Sequence, residues 1–249
     1  VGSPTQPVLL TVNAPNGNFV TIADQDLRFS VTYPTFSHVA GTPPPHLAFT
    51  DGPNSDGIGQ VYMDPNSVIN AGLDVIYQAP DPIILGNTYA NRHIIAVSTG
   101  TNGYVEVLDN STVQAGLTDM TGDVRLVSRN NDIIIGDNVS IISGVLGDII
   151  MVGGGELTTG DNQLWSAGNR IYLLSGAPTT SGNDIGSFVF GADVIDQNTS
   201  LGTGTFISGL GYILIDATGD LSINGSITPG SYIDFETGTQ GGTGSAGDV

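Results

Sequence analysis

The chain has 249 residues, 24 acidic against 5 basic side chains, a formal net charge of −19 and no cysteine. Such a charge repels nucleic-acid phosphates and anionic lipid, which argues against both as partners. The missing thiols exclude disulfides, cysteine nucleophiles and Cys-ligated metal centres. Hydrophobic residues at 39 % suffice for a core, whereas 36 glycines and only 12 % charged residues point to a surface of turns, Asn, Thr and Ser.

Residues 1–12 read as an extended arm. Pro4 and Pro7 keep its lead from helix, and Val8, Leu9, Leu10 and Val12 form a short apolar strand. Residues 13–115 form a β-rich N-terminal region, read as a small β-sandwich or a capping region. In it Leu27–Tyr33 alternates apolar and polar positions as a half-buried strand does. Residues 34–57, with Pro43, Pro44, Pro45, Gly52 and Pro53, read as a long loop. Strands are expected at 59–63, 74–78, 83–85, 93–98 and 104–108, and 64–73 is a weak helix candidate opened by Asp64-Pro65.

Near Gly116 the texture changes. Strands shorten to three to five residues, and Gly-Asp or Asn-Asp corners recur at Asp123, Asp132, Asp137, Asp148, Asp161, Asp184 and Asp220. Strands this short are not stable as separate hairpins, but they are stable if each stacks on its neighbour and the chain winds as a β-solenoid. The all-β reading is therefore a solenoid over 116–236, followed by a Gly/Thr-rich tail over 237–249. Val124, Leu126, Ile133, Ile135, Ile141, Ile149, Ile171, Leu173, Ile213, Ile215, Leu221 and Ile223 are the expected inward ladder. In all-apolar triplets such as Ile133-Ile134-Ile135, alternation alone does not say which side faces in.

The runs Gly122-Asp-Val-Arg-Leu-Val-Ser128 and Ile213-Leu-Ile-Asp-Ala-Thr-Gly-Asp-Leu-Ser-Ile-Asn-Gly-Ser-Ile227 resemble the repeats of filamentous-haemagglutinin-type exoproteins. The resemblance covers about half of the chain. It implies a right-handed parallel β-helix on or outside a bacterial surface, with an adhesive or structural role.

The candidate chemistry is sparse. Arg125, Arg129 and Arg170 beside Asp123, Asp132 and Asp148 are the residues a polysaccharide lyase or hydrolase would use. The plainer reading is that these carboxylates cap backbone N–H groups at corners. Asp51 and Asp56, in a loop of hard oxygen donors, and Asp24 with Asp26 are candidate ligands for a structural Ca²⁺. His38, His46 and His93 lack zinc spacing, and no glycine-rich run is followed by the lysine of a phosphate loop.

Val1 in place of Met, the lack of lysine and the Asn/Thr/Gly content suit a secreted chain whose signal peptide has been removed. The expectation is a non-catalytic extracellular structural protein that assembles with copies of itself into a filament, sheath or surface layer. Val8–Val12 would bridge subunits by strand addition. An adhesin binding surface glycans, a polysaccharide-cleaving enzyme and a virion fibre protein are the alternatives. No nucleic-acid partner and no membrane insertion are expected.

Overall fold

The computed structural model describes residues 19–23, 27–29, 35–36, 46–51, 61–63, 68–117, 120–176 and 198–237. The chain winds in coils of three strands each. The first coil is β1 (Phe19–Ala23), β2 (Leu27–Phe29) and β3 (Thr35–Phe36), and the second is β4 (His46–Asp51), β5 (Val61–Met63) and β6 (Val68–Ala71). The third is β7 (Asp74–Ala79), β8 (Ile83–Leu85) and β9 (Asn87–Ala90), and the fourth is β10 (Ile94–Ser98), β11 (Val105–Val107) and β12 (Thr112–Gln114). Then come β13 (Val124–Ser128), β14 (Ile133–Ile135) and β15 (Ser140–Ile142), followed by β16 (Ile149–Gly153), β17 (Leu157–Thr159) and β18 (Gln163–Ala167). The seventh coil is β19 (Ile171–Ser175), β20 (Thr199–Leu201) and β21 (Gly204–Ser208). The eighth is β22 (Ile213–Ala217), β23 (Leu221–Ile223) and β24 (Ser226–Thr228), and β25 (Ile233–Thr237) opens a ninth.

Every third strand pairs in parallel, giving sheet A (β1 to β25, nine strands) and sheets B (β2 to β23) and C (β3 to β24), eight strands each. The fold is a right-handed parallel β-helix, the hand that parallel crossovers adopt.

The coils do not begin at Gly116. Strands β1 to β12 belong to the same three sheets, so the described strands of 13–115 stack as coils and form no separate sandwich or cap. The loop expected over 34–57 contains β3 and β4, and 68–71 of the helix candidate is strand β6. Prolines outside β4 made that segment look like a loop, yet its Leu47 and Phe49 pair with Val75 and Tyr77 of β7.

The inward ladders are columns of like residues. Sheet A stacks Val75, Ile94, Val124, Ile149, Ile171 and Ile213 in register. Sheet C stacks Ile69, Thr88, Val113, Ile141, Trp165 and Phe206. Trp165 meets Phe206 edge-to-face at 5.0 Å, and its indole N–H donates to Gln163 Oε1 at 3.1 Å. Eleven of the twelve expected inward residues are buried, and Ile223, near the end of the coils, packs partly buried against the same core. Sheet A is buried on both faces: Ile95, Val97, Val127, Ile150, Val152 and Leu174 alternate with the inward set and form a second apolar cluster. Parallel strands covered on both faces read as unbroken apolar runs, which is why the triplets are ambiguous by sequence.

Candidate functional site

Candidate chemistry concentrates at the corner where sheet C hands the chain to sheet A. At the start of the seven sheet A strands from β7 to β25, one residue stands over its counterpart in the next coil: Asp74, which opens β7, and then His93, Asp123, Asp148, Arg170, Tyr212 and Tyr232, each just before its strand. Side chains cap the next coil along this column. Asp74 Oδ1 accepts the His93 N–H at 3.1 Å, and His93 Nδ1 accepts the Asp123 N–H at 3.0 Å. Asp123 Oδ1 accepts the Asp148 N–H at 2.9 Å, and Asp148 Oδ1 accepts the Arg170 N–H at 3.1 Å. Main-chain bonds run the opposite way, for instance from Val124 N–H to the Asp148 carbonyl at 3.0 Å.

The remaining carboxylate oxygens hold arginines. Arg92 grips Asp74 through Nε and Nη2 at 2.8 and 2.5 Å, Arg125 Nη2 donates to Asp123 Oδ2 at 2.7 Å, and Arg170 Nη2 donates to Asp148 Oδ2 at 2.6 Å. The bond to Asp148 raises the Arg170 guanidinium above its ordinary pKa, so this charge is permanent. Arg170 also lies 5.6 Å from the Tyr212 ring centroid, and Tyr212 stacks on Tyr232 at 4.9 Å.

A second column stands at the corner between sheets B and C. Asp109 Oδ1 accepts the Asp137 N–H at 2.7 Å, Asp137 Oδ1 that of Asp161 at 2.8 Å, and Asp161 Oδ1 that of Thr203 at 2.9 Å. The Thr203 N–H holds the Asp161 carboxyl below its ordinary pKa. Asn110, Asn138 and Asn162 follow these aspartates in left-handed conformation, φ 58°, 56° and 59°, which Asn tolerates better than most residues. The Gly-Asp signature has its cause here. A Cβ on Gly136 would lie 2.3 Å from Asp109 Oδ1, and one on Gly160 would lie 2.1 Å from Asp137 Oδ1. Glycine leaves room for the carboxylate of the preceding coil. At the third corner Asp132 Oδ1 accepts the Glu156 N–H at 2.9 Å in the same manner.

The lyase-type grouping of Asp123, Asp132, Asp148, Arg125, Arg129 and Arg170 is thus divided between two corners. Arg125 and Arg170 each hold one aspartate of the first column, and Asp132 stands apart from them. Of the calcium candidates, Asp51 ends strand β4 paired with Ala23, while Asp24, Asp26 and Asp56 lie outside the described residues. Among the described residues no group of three or more His, Asp or Glu is placed to hold a metal. Val8, Leu9, Leu10 and Val12 also lie outside the described residues. No described helix is long and apolar enough to cross a membrane. Sequence reasoning found the capping aspartates but missed His93, Tyr212 and Tyr232 as members of one column, because their spacing of 119 and 20 residues has meaning only once the coils are in register.

Compared with protein-family models, with curated proteins and with solved structures, the chain matches none. The likeness to filamentous-haemagglutinin-type repeats rests on the residues quoted for it.

Proposed function

We propose that this chain is a non-catalytic structural protein of an extracellular assembly, a rod-like unit that associates with copies of itself. One observation carries the reading. The carboxylates that would have to act as acids, bases or metal ligands in the main column, Asp74, Asp123 and Asp148, have both oxygens bonded to backbone N–H groups and arginines. A general base needs a lone pair aimed at substrate, and these are committed to holding one coil on the next. A parallel β-helix also ends in strands whose outer edge is unpaired, an arrangement that recruits further strands. Residues 1–12 are the segment of this chain suited to that role.

Negative-stain microscopy and sedimentation of the purified protein test the reading. Filaments, sheets or defined oligomers are expected. A monomer at all concentrations that cleaves an acidic polysaccharide would replace the structural reading with an enzymatic one. A second reading, a glycan-binding adhesin, draws on the exposed Tyr232 ring stacked on Tyr212, since an aromatic face is a platform for sugars. Selective retention of the monomer on a glycan array would favour it.

A further inference from the structure

Asparagine followed by glycine is a chemically labile pair, because glycine has no side chain to hinder attack of its nitrogen on the asparagine side chain. The sequence contains three such pairs, at Asn16, Asn102 and Asn224. Asn16 lies outside the described residues. The other two stand in opposite circumstances. Gly103 is buried, and its N–H donates to the Gly100 carbonyl at 3.3 Å. A Cβ there would lie 2.0 Å from Ser98 Oγ and 2.4 Å from the Pro80 carbonyl oxygen, so the peptide between Asn102 and Gly103 is wedged in place. Gly225 is exposed, and among the described residues its N–H has no hydrogen-bond partner.

The corner asparagines of other coils commit their side-chain amides. Asn130 and Asn131 donate to carbonyls of the coil before, Asn138 donates to Asn110 Oδ1, and Asn169 donates to Asp148 Oδ1. Of the Asn224 donors only the backbone N–H is held, by the Leu201 carbonyl at 2.9 Å, and no described residue bonds its side-chain amide. Packing also forbids the obvious relief, a larger residue at 225. A Cβ on Gly225 would lie 2.5 Å from Cε2 of the buried Phe206 ring, itself held edge-to-face on Trp165, and 3.0 Å from the Gly204 carbonyl oxygen. The eighth coil therefore demands the residue that makes Asn224 labile.

We propose that Asn224 is a site of spontaneous deamidation, with water as the co-reactant. The Gly225 nitrogen gives up its proton to solvent base and bonds to Asn224 Cγ. The Cγ–Nδ2 bond breaks, ammonia leaves and a succinimide closes. Water then opens the ring, and nothing is oxidised or reduced. Attack at Cγ restores the ordinary backbone with aspartate. Attack at the α-carbonyl gives isoaspartate, in which the chain runs through Cβ and Cγ. Either product adds one negative charge to a chain at −19. Isoaspartate also lengthens the link between β23 and β24 by one methylene, just before Ser226, Ile227 and Thr228 pair with Thr205, Phe206 and Ile207 of β21. A strand of three residues has few bonds with which to keep its register, so β24 is the element that loosens. The reaction needs one chain only and stands apart from the assembly reading.

The full-length protein is incubated folded in mildly alkaline buffer made with heavy-oxygen water, and in parallel unfolded in denaturant. Peptide mass spectrometry then reads the label at each asparagine, and enzymatic methylation of isoaspartate separates the two products. In the folded chain position 224 should convert at least roughly tenfold faster than position 102, because Gly103 must first be released by local opening. In denaturant the two should convert at similar rates. Equal conversion in the folded chain would overturn the part assigned to structure, and no conversion at 224 in the folded chain would overturn the site. Asn224→Gln, whose longer side chain does not close the five-membered ring, should stay unlabelled there, and label at that position would overturn the succinimide route. Freshly purified Asn224→Asp carries the charge without the added methylene. The isoaspartate fraction of aged protein, separated by chromatography, should exchange its β24 amide hydrogens faster than Asn224→Asp does. Equal exchange in the two would overturn the effect on register.

Discussion

Asp148 holds Arg170 at three points across the gap between the sixth and seventh coils, taking its backbone N–H and Nε on Oδ1 at 3.1 and 3.2 Å and its Nη2 on Oδ2 at 2.6 Å. Asp148→Ala removes the acceptor of all three, and of the Asn169 side-chain amide as well. It should cost roughly 1–3 kcal/mol, toward the lower end because Arg170 is partly in solvent. Asp148→Asn keeps an oxygen for the N–H and should lose less. Chemical denaturation of the two variants checks the order, and equal loss would mean that the backbone cap contributes nothing.

Asn138 sits at φ 56° and its side-chain amide donates to Asn110 Oδ1 at 3.2 Å. Asn138→Val forces a β-branched residue into left-handed conformation and should cost about 1–2 kcal/mol. Asn138→Gly should be the milder change. Thermal melts of the pair decide whether conformation or the amide ladder dominates.

Trp165 fills the core at the sixth coil with no exposure to solvent. Trp165→Ala should cost about 3–5 kcal/mol through lost burial and the cavity left, with Gln163 Oε1 losing its donor besides. Leu164→Ala, one residue away on the exposed face, should change stability by no more than about 0.5 kcal/mol. Similar losses in the two variants would contradict the inward assignment of sheet C.

Glu106 lies between Ile84 and Ile134 on the outer face of sheet B. Burial, then the charge of Asp109, raises its pKa above the ordinary glutamate value. The folded chain therefore holds this proton to higher pH than the unfolded chain does. Stability falls as pH rises from the ordinary glutamate value through the raised one, and the penalty is complete above it. Glu106→Gln should raise the melting temperature at neutral pH, with the gain shrinking to nothing below about pH 4. A gain that persists undiminished in acid would assign the effect to something other than the charge.

Excess chelator should leave the melting curve of the coils unchanged, because their carboxylates already bond to N–H groups and arginines. A lowered melting temperature, with calcium found by elemental analysis, would instead point to Asp24, Asp26, Asp51 and Asp56, since a ligand bound only by the folded state stabilises it.

The inward ladder was legible because an apolar residue at every second position marks one face of a strand, as in Val124 and Leu126 or Ile213 and Ile215. Capping by Asp was legible from its chemistry, but its direction was not: Asp137 serves Asp161 of the next coil, a bond 24 residues away in sequence. The early coils were hidden because β4 stands between proline-rich segments and β6 follows Asp64-Pro65, signals that usually end strands. The clustering of exposed apolar side chains at the corner from sheet C to sheet A was invisible for a different reason. Met120 and Leu210 share a corner only after several coils of unequal length have been brought into register.

That inequality has a consequence for how such a chain changes. Ile149 to Ile171 is one turn of the helix in 22 residues, and Ile171 to Ile213 is also one turn, in 42. Closing a loop twice as long costs only about 0.6 kcal/mol more, so the sheets continue past the longer coil undisturbed. The register between β19 and β22 is thus set by the ladder itself and not by the number of residues that join the two strands.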